Sequence, residues 1–180
     1  SIKVGFIDDF EAMKGDSKEA GATTKMIEQR FASFGKSKKI FYISTPELKP
    51  TSNIEPVYLQ GDQRKYFIPC PCCGEFINLE WKTFVGDTTE HAGIYWELDD
   101  NGKLDAESIG YVCQECGDFF DDSNKTELLN HGEWRPTAEP ERPGNYSYHI
   151  SALYAPIYMD GWEKYVRDYL EANPSNGVRD

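Results

Sequence analysis

An apolar run opens the chain. In IKVGFIDD, residues 2–9, the β-forming side chains of Val4, Phe6 and Ile7 stand directly ahead of two carboxylates, which predicts a short buried strand ending at Asp8. Residues 22–34 (ATTKMIEQRFASF) set Met26, Ile27, Arg30 and Phe31 at helical spacing, with Thr23 or Thr24 available as a cap, and predict an amphipathic helix. A second apolar strand follows in residues 39–44 (KIFYIS). It stops at Thr45-Pro46, because proline has no N–H to give to a ladder. Strand, helix, strand is a βαβ unit, so the two strands are expected to be parallel.

From Arg64 onward the pattern changes. Residues 65–81 (KYFIPCPCCGEFINLEW) and 109–120 (IGYVCQECGDFF) each carry a cysteine knuckle followed by a short apolar stretch, predicting two hairpins. Between them Asp99-Asp100-Asn101-Gly102 is a strong turn signal. Pro136, Pro140 and Pro143 mark a linker, residues 145–154 (NYSYHISALY) a strand, and residues 162–170 a helix with Trp162, Tyr165, Val166 and Tyr169 on one face. Beyond the duplicated knuckle there is no internal repeat.

Composition narrows the class. With 180 residues the chain supports one ordinary domain, or a compact domain with a small appendage. Its 4 Trp, 11 Tyr and 10 Phe can fill a core, which does not fit disorder throughout. No apolar run approaches the roughly 18 residues of a membrane span, and the start lacks the layout of a signal peptide. The reading is therefore a soluble, non-secreted chain without a membrane partner. The net charge of −12 is uneven: residues 1–69 balance at +2 and residues 70–180 at −14. So acidic a second part repels a phosphate backbone, which leaves DNA contact to the first part or to other segments.

Two groups of residues carry candidate chemistry. An apolar strand ending in Asp8-Asp9 is the arrangement with which nucleotide-hydrolysing proteins hold magnesium and orient water; a solvated strand end is the plainer reading of the same pattern. The second strand ends in Ser44-Thr45-Pro46, and in a parallel pair both ends share one edge, so hydroxyls are expected beside the carboxylates. An ordinary turn accounts for that pattern equally well. Gly35-Lys36-Ser37 imitates the end of a phosphate loop, but Arg30 stands where its first glycine belongs, and the tripeptide follows a helix instead of preceding one.

The cysteines give the stronger signal. Cys70 with Cys73 and Cys113 with Cys116 have C-x-x-C-G spacing, which lets four thiolates converge on one ion in a closed, structural site. Cys72 is out of register and reads as a bystander thiol. Zinc and a rubredoxin-like iron both suit the set, and a redox pair is the reading for either half alone. His91 and His131 sit in polar loops and are expected in solvent, and His149 is expected half-buried in its strand.

The series VGFIDDFEAM, ISTPELKPTSNIEPVYLQGDQRKYFIPCPCCG, YVCQECG, GEWRPT and SYHISALYAPIYMDGWEKYVRDYL resembles, nearly end to end, the large terminase subunit of tailed phages in the lambda-like group. The resemblance implies an α/β fold: part of a P-loop NTPase parallel sheet of the ASCE type, with a zinc-ribbon β insertion. It implies the later part of an ATPase domain in residues 1–65, the insertion in 66–135, and in 136–180 a return strand and helix leading toward a nuclease. Asp8 would be the magnesium-associated Walker B aspartate. Asp9 stands where the family carries a catalytic glutamate, one methylene longer. Ser44 and Thr45 would fall in the motif that couples hydrolysis to movement, and Cys70, Cys73, Cys113 and Cys116 match the family's cysteine pairs.

The cofactors implied are structural Zn2+, with ATP and Mg2+ in the full-length protein. The partners implied are the rest of the large subunit, the small terminase subunit, the portal protein and, through other segments, double-stranded DNA, all in the host cytoplasm. Without a phosphate loop or nuclease, these 180 residues read as an internal piece that is inactive alone. The rival classes are a zinc-ribbon protein-binding module without hydrolase activity and an iron-bearing electron carrier.

Overall fold

The computed structural model describes residues 3–13, 17–47, 52–156 and 159–173. The chain divides into two units, Ser1–Gln63 with Pro136–Tyr148, and Arg64–Arg135 with His149–Asp180. Among the described residues the fold is mixed α/β, with a parallel pair of strands and two antiparallel sheets.

In the first unit the apolar runs become β1 (Val4–Ile7) and β2 (Lys39–Tyr42), paired in parallel with Phe6 beside Phe41 and Ile7 beside Tyr42. Ile2, at the head of the predicted strand, lies outside the described residues. Helix α1 (Ser17–Arg30) and 3-10 turns within Ala32–Ser37, kinked at Gly35, make the crossover. The helix begins earlier than its apolar spacing suggests, so Thr23 and Thr24 lie inside it and do not cap it. Of the four residues expected on its inner face, Met26 and Arg30 are exposed, whereas Phe31 is buried where the helix ends.

Phe31 explains Gly5. A Cβ at position 5 would stand 2.3 Å from Phe31 Cζ, so the ring occupies the space a side chain would need. Gly5→Val is expected to cost about 1–3 kcal/mol by overpacking, read as a lowered thermal midpoint, and Phe31→Leu in the same chain should recover part of it. The strand is not buried as expected: Gly5 and Ile7 on one face, like Ile40 and Tyr42 of its partner, are only half-buried. On the other, Phe6 is 67% exposed and stacks in parallel on Phe41 at 4.8 Å, with Val4 and Ile43 exposed beside them.

The short helix α2 (Ile54–Leu59) completes this unit together with residues 136–147, which are free of helix and strand, as the prolines predict. They are nevertheless pinned: the backbone N–H groups of Thr137 and Glu141 donate to the carbonyls of Asp62 and Gln60, and that of Ser147 donates to Asp62 Oδ1.

In the second unit β3 (Arg64–Pro69) pairs antiparallel with β4 (Phe76–Ile77) and with β9 (Glu133–Arg135). The other sheet is an antiparallel run of β5 (Lys82–Phe84), β6 (His91–Leu98), β7 (Leu104–Val112) and β8 (Phe119–Phe120). The turn predicted at 99–102 joins β6 to β7. Asp99 Oδ1 accepts the N–H groups of Asn101 and Lys103, and Gly102 takes the left-handed conformation at φ 75°. Helix α3 (Lys125–Asn130) precedes β9.

The strand expected over 145–154 shrinks to β10 (Tyr148–His149), followed by a 3-10 turn at Ala152–Tyr154. His149 is exposed, a correction to the half-buried imidazole expected there, because this strand is only two residues long and both face solvent. His91 and His131 are exposed as expected. Helix α4 (Trp162–Ala172) buries Trp162 and Val166 against Tyr111, Phe120 and Leu153, the face predicted from spacing.

A cation lies inside this core. Lys125 is 1% exposed, its Nζ lies 3.8 Å from Asp122 Oδ2 and 5.3 Å from the Trp162 ring centroid, and it donates to the Asp160 carbonyl at 3.4 Å. Burial pushes its pKa down, against the pull of Asp122 and Asp160. Asp122 also accepts the Trp162 N–H at 2.9 Å and so keeps a partner if the ammonium is removed. Lys125→Met, which refills the volume, is therefore expected to change stability by less than about 1.5 kcal/mol. Lys125→Ala leaves a cavity and should cost about 2–4 kcal/mol, both measurable by denaturant titration. Among the described residues no helix is long and apolar enough to cross a membrane.

Candidate functional site

The parallel pairing puts the ends of β1 and β2 on one rim. The ladder runs on past both strands: Ile43 N–H donates to the Ile7 carbonyl at 2.8 Å, and Phe10 N–H donates to the Ile43 carbonyl at 3.2 Å. Asp8-Asp9 therefore lies alongside Ile43-Ser44, the juxtaposition expected from two parallel strands of this spacing. Asp8, Asp9 and Thr45 are exposed and Ser44 is half-buried.

The local geometry comes from a sharp reversal at Asp9, whose φ of 52° and ψ of 43° are left-handed. Aspartate tolerates that region better than most residues, because a short polar side chain can bond locally. Here Asp8 Oδ1 accepts the Asp9 N–H at 3.0 Å. The reversal turns Phe10 inward, where it is 1% exposed and meets the edge of Tyr42 at 5.1 Å. One residue further, Glu11 N–H donates to Ser44 Oγ at 2.9 Å and ties the carboxylate turn to the hydroxyl turn. This bond, and Glu11 itself, are absent from the sequence reading: an acid shortly beyond an acidic pair looks like more solvated charge.

The second constellation is built twice over. Each knuckle leaves a strand, turns under its sulfurs and returns antiparallel: β3 to β4 around Cys70–Cys73, β7 to β8 around Cys113–Cys116. Cys70 N–H donates to the Glu75 carbonyl and Gly74 N–H to the Cys70 carbonyl; Cys113 with Asp118 and Gly117 with Cys113 repeat the pattern at matching distances. Gly74 and Gly117 have φ of 78° and 76°, a conformation that glycine adopts without strain and that folds the backbone beneath the sulfurs. The N–H groups of Cys72 and Glu115 point at Cys70 Sγ and Cys113 Sγ, at 3.4 and 3.3 Å, where they disperse thiolate charge.

Together the knuckles bring the Sγ atoms of Cys70, Cys73, Cys113 and Cys116 within 4.8 Å of one another. Sulfurs at the corners of a tetrahedron around zinc are about 3.8 Å apart, given Zn–S bonds of about 2.3 Å, so the set fits a metal ion held by four thiolates with little adjustment. Cys70 and Cys113 are buried and Cys73 and Cys116 exposed. Burial pushes the Cys113 thiol up, so a thiolate there calls for a positive charge beside it. Cys72 is outside the cluster, exposed, with its Sγ 3.9 Å from the Phe119 carbonyl.

These two constellations fall within one known protein family. The family model of the phage terminase large subunit gpA, ATPase domain, matches residues 1–134, a span that takes in both the carboxylate rim and the four cysteines. No curated protein matches the chain. No solved structure matches it either. With the family model covering well over half of its length, the chain belongs to the gpA family of phage terminase large subunits, as part of the ATPase domain.

Proposed function

We propose that this chain supplies the carboxylate and coupling elements of the ATP-driven motor that packages viral DNA into the capsid, with the four-cysteine module as a structural zinc ribbon. The observation that carries the reading is the shared rim, with Asp8 and Asp9 beside Ser44 in an unbroken parallel ladder. In P-loop enzymes a magnesium ion neutralises charge on the nucleotide's phosphates. Asp8 is the residue that would hold that ion's water shell. Asp9, exposed at the same turn, would orient a water molecule, and Ser44 and Thr45 would sense the terminal phosphate.

The phosphate loop comes, on this reading, from another part of the full-length protein, whose remaining ATPase strands and helices cover the open face of β1 and β2. A two-stranded sheet with Phe6, Phe41, Val4 and Ile43 outward presents an apolar patch that a finished domain covers. Residues 1–65 form the later part of the ATPase domain, 66–135 the ribbon, and 136–180 the return toward the nuclease. The small terminase subunit, the portal protein and double-stranded DNA are the partners, in the host cytoplasm. The closed sulfur set leaves no coordination position for substrate, so the ribbon stiffens the motor and does no chemistry.

The test is Asp8→Asn in the full-length protein, with ATP turnover and DNA packaging as readouts. Loss of both supports the motor, and retention of both supports an adaptor.

A further inference from the structure

Glu11 is the most constrained carboxylate on the rim and has no part in the chemistry proposed above. It is 8% exposed. Its Oε1 accepts the Asn53 N–H at 2.8 Å, and its Oε2 accepts the Ile54 N–H at 2.9 Å and the Ser52 hydroxyl at 3.1 Å. Its backbone carbonyl accepts Asn53 Nδ2–H at 3.2 Å, and its N–H donates to Ser44 Oγ. Burial pulls its pKa upward, but the N–H groups of Ile54 and Asn53 and the Ser52 hydroxyl outweigh that and hold it below the usual carboxylate range, so the group is an anion. The charged side chain thus takes the N–H groups of Asn53, just ahead of α2, and of Ile54, its first residue, while the backbone of the same residue grips the Ser44 turn.

A hydroxyl has one proton to give and two lone pairs. With Ser44 Oγ accepting from Glu11, one lone pair is fixed on the protein side, which limits the directions in which the Ser44 proton can be given. We infer that Glu11 is a positioning residue that sets the Ser44 hydroxyl relative to Asp8 and Asp9 and joins that arrangement rigidly to α2. The inference rests on the motor reading, since it gives Ser44 something to donate to.

The experiment uses the full-length terminase and compares Glu11→Gln, Ser52→Ala, Ser44→Ala and the Glu11→Gln/Ser44→Ala double variant, with Asp8→Asn as the control for the reading itself. Glutamine keeps the volume but presents an NH2 where the carboxylate accepts, so one bond of the clamp becomes a donor facing a donor. The expected result is an approximately tenfold drop in kcat for Glu11→Gln and a two- to threefold drop for Ser52→Ala, with the KM for ATP within about twofold and thermal midpoints within a few degrees of the parent. The double variant should be no slower than the slower single variant, since both changes act through one hydroxyl.

Should Glu11→Gln fail to fold, Ser52→Ala, which removes one hydroxyl, decides alone. Unchanged kcat in the variants that fold, or losses that multiply in the double variant, overturns the role of Glu11 while a dead Asp8→Asn keeps the motor reading intact. An active Asp8→Asn overturns both.

Discussion

With the four cysteines holding a structural metal as proposed, a strong chelator is expected to unfold the second unit, and Cys113→Ser is expected to have the same effect without chelator. Structural zinc held by four thiolates contributes on the order of 10 kcal/mol to folding, against a whole-domain stability of about 5–15 kcal/mol. The aromatic core makes that dependence readable. Tyr111, on the strand that leads into Cys113, lies 5.5 Å from Phe120 and 5.9 Å from Trp162 by ring centroids, so loss of the β7–β8 knuckle releases the centre of the cluster. Trp162 should become solvent-exposed, with a red-shifted emission and a collapsed near-ultraviolet circular dichroism signal. Cys72→Ser should leave both unchanged, since that thiol is exposed and outside the cluster. A Cys113→Ser chain with native emission would show that the sulfurs hold nothing of structural weight. The metal itself separates the rival readings: about one zinc in a colourless preparation excludes the electron carrier, and a red protein with thiolate-to-iron absorption supports it.

The knuckles are legible in the sequence because everything that specifies them is local. Two thiols three residues apart, a glycine behind them and an apolar pair on the return strand define the geometry without help from the rest of the chain. The βαβ unit is legible for a related reason. Its strands are apolar runs with abrupt polar ends, and parallel pairing follows once a helix separates them. What the pattern does not carry is pairing between distant segments. β9 joins β3 with Tyr66 beside Trp134, and no local spacing encodes that register. Most of the strand expected over 145–154 does not form, because aromatic alternation describes a half-buried strand, whereas Tyr146, Tyr148 and Ile150 are all exposed. Glu11 is hidden differently: its four partners are supplied by Ser44 and residues 52–54, more than thirty positions away.

At the rim, Asp8→Asn in the full-length terminase is expected to lower ATP turnover by about 100- to 1,000-fold, the scale on which a preorganised charge at a reacting centre is felt. Asparagine has nearly the same shape and can still accept the Asp9 N–H through its side-chain oxygen, so the turn survives and a loss of activity reports the charge. Asp9 offers a sharper comparison. At φ 52° the backbone favours a short polar side chain, and glutamate, which reaches about 1.5 Å further, is less at ease there. If Asp9 orients the attacking water, Asp9→Asn should slow turnover by about tenfold or more at an unchanged KM. Asp9→Glu should then retain activity with a lowered thermal midpoint, because it restores the base but not the turn. Turnover within twofold of the parent for both Asp8→Asn and Asp9→Asn would reduce the acidic doublet to a solvated strand end and leave the four-cysteine set, as a structural metal site, the one part of the proposal still standing.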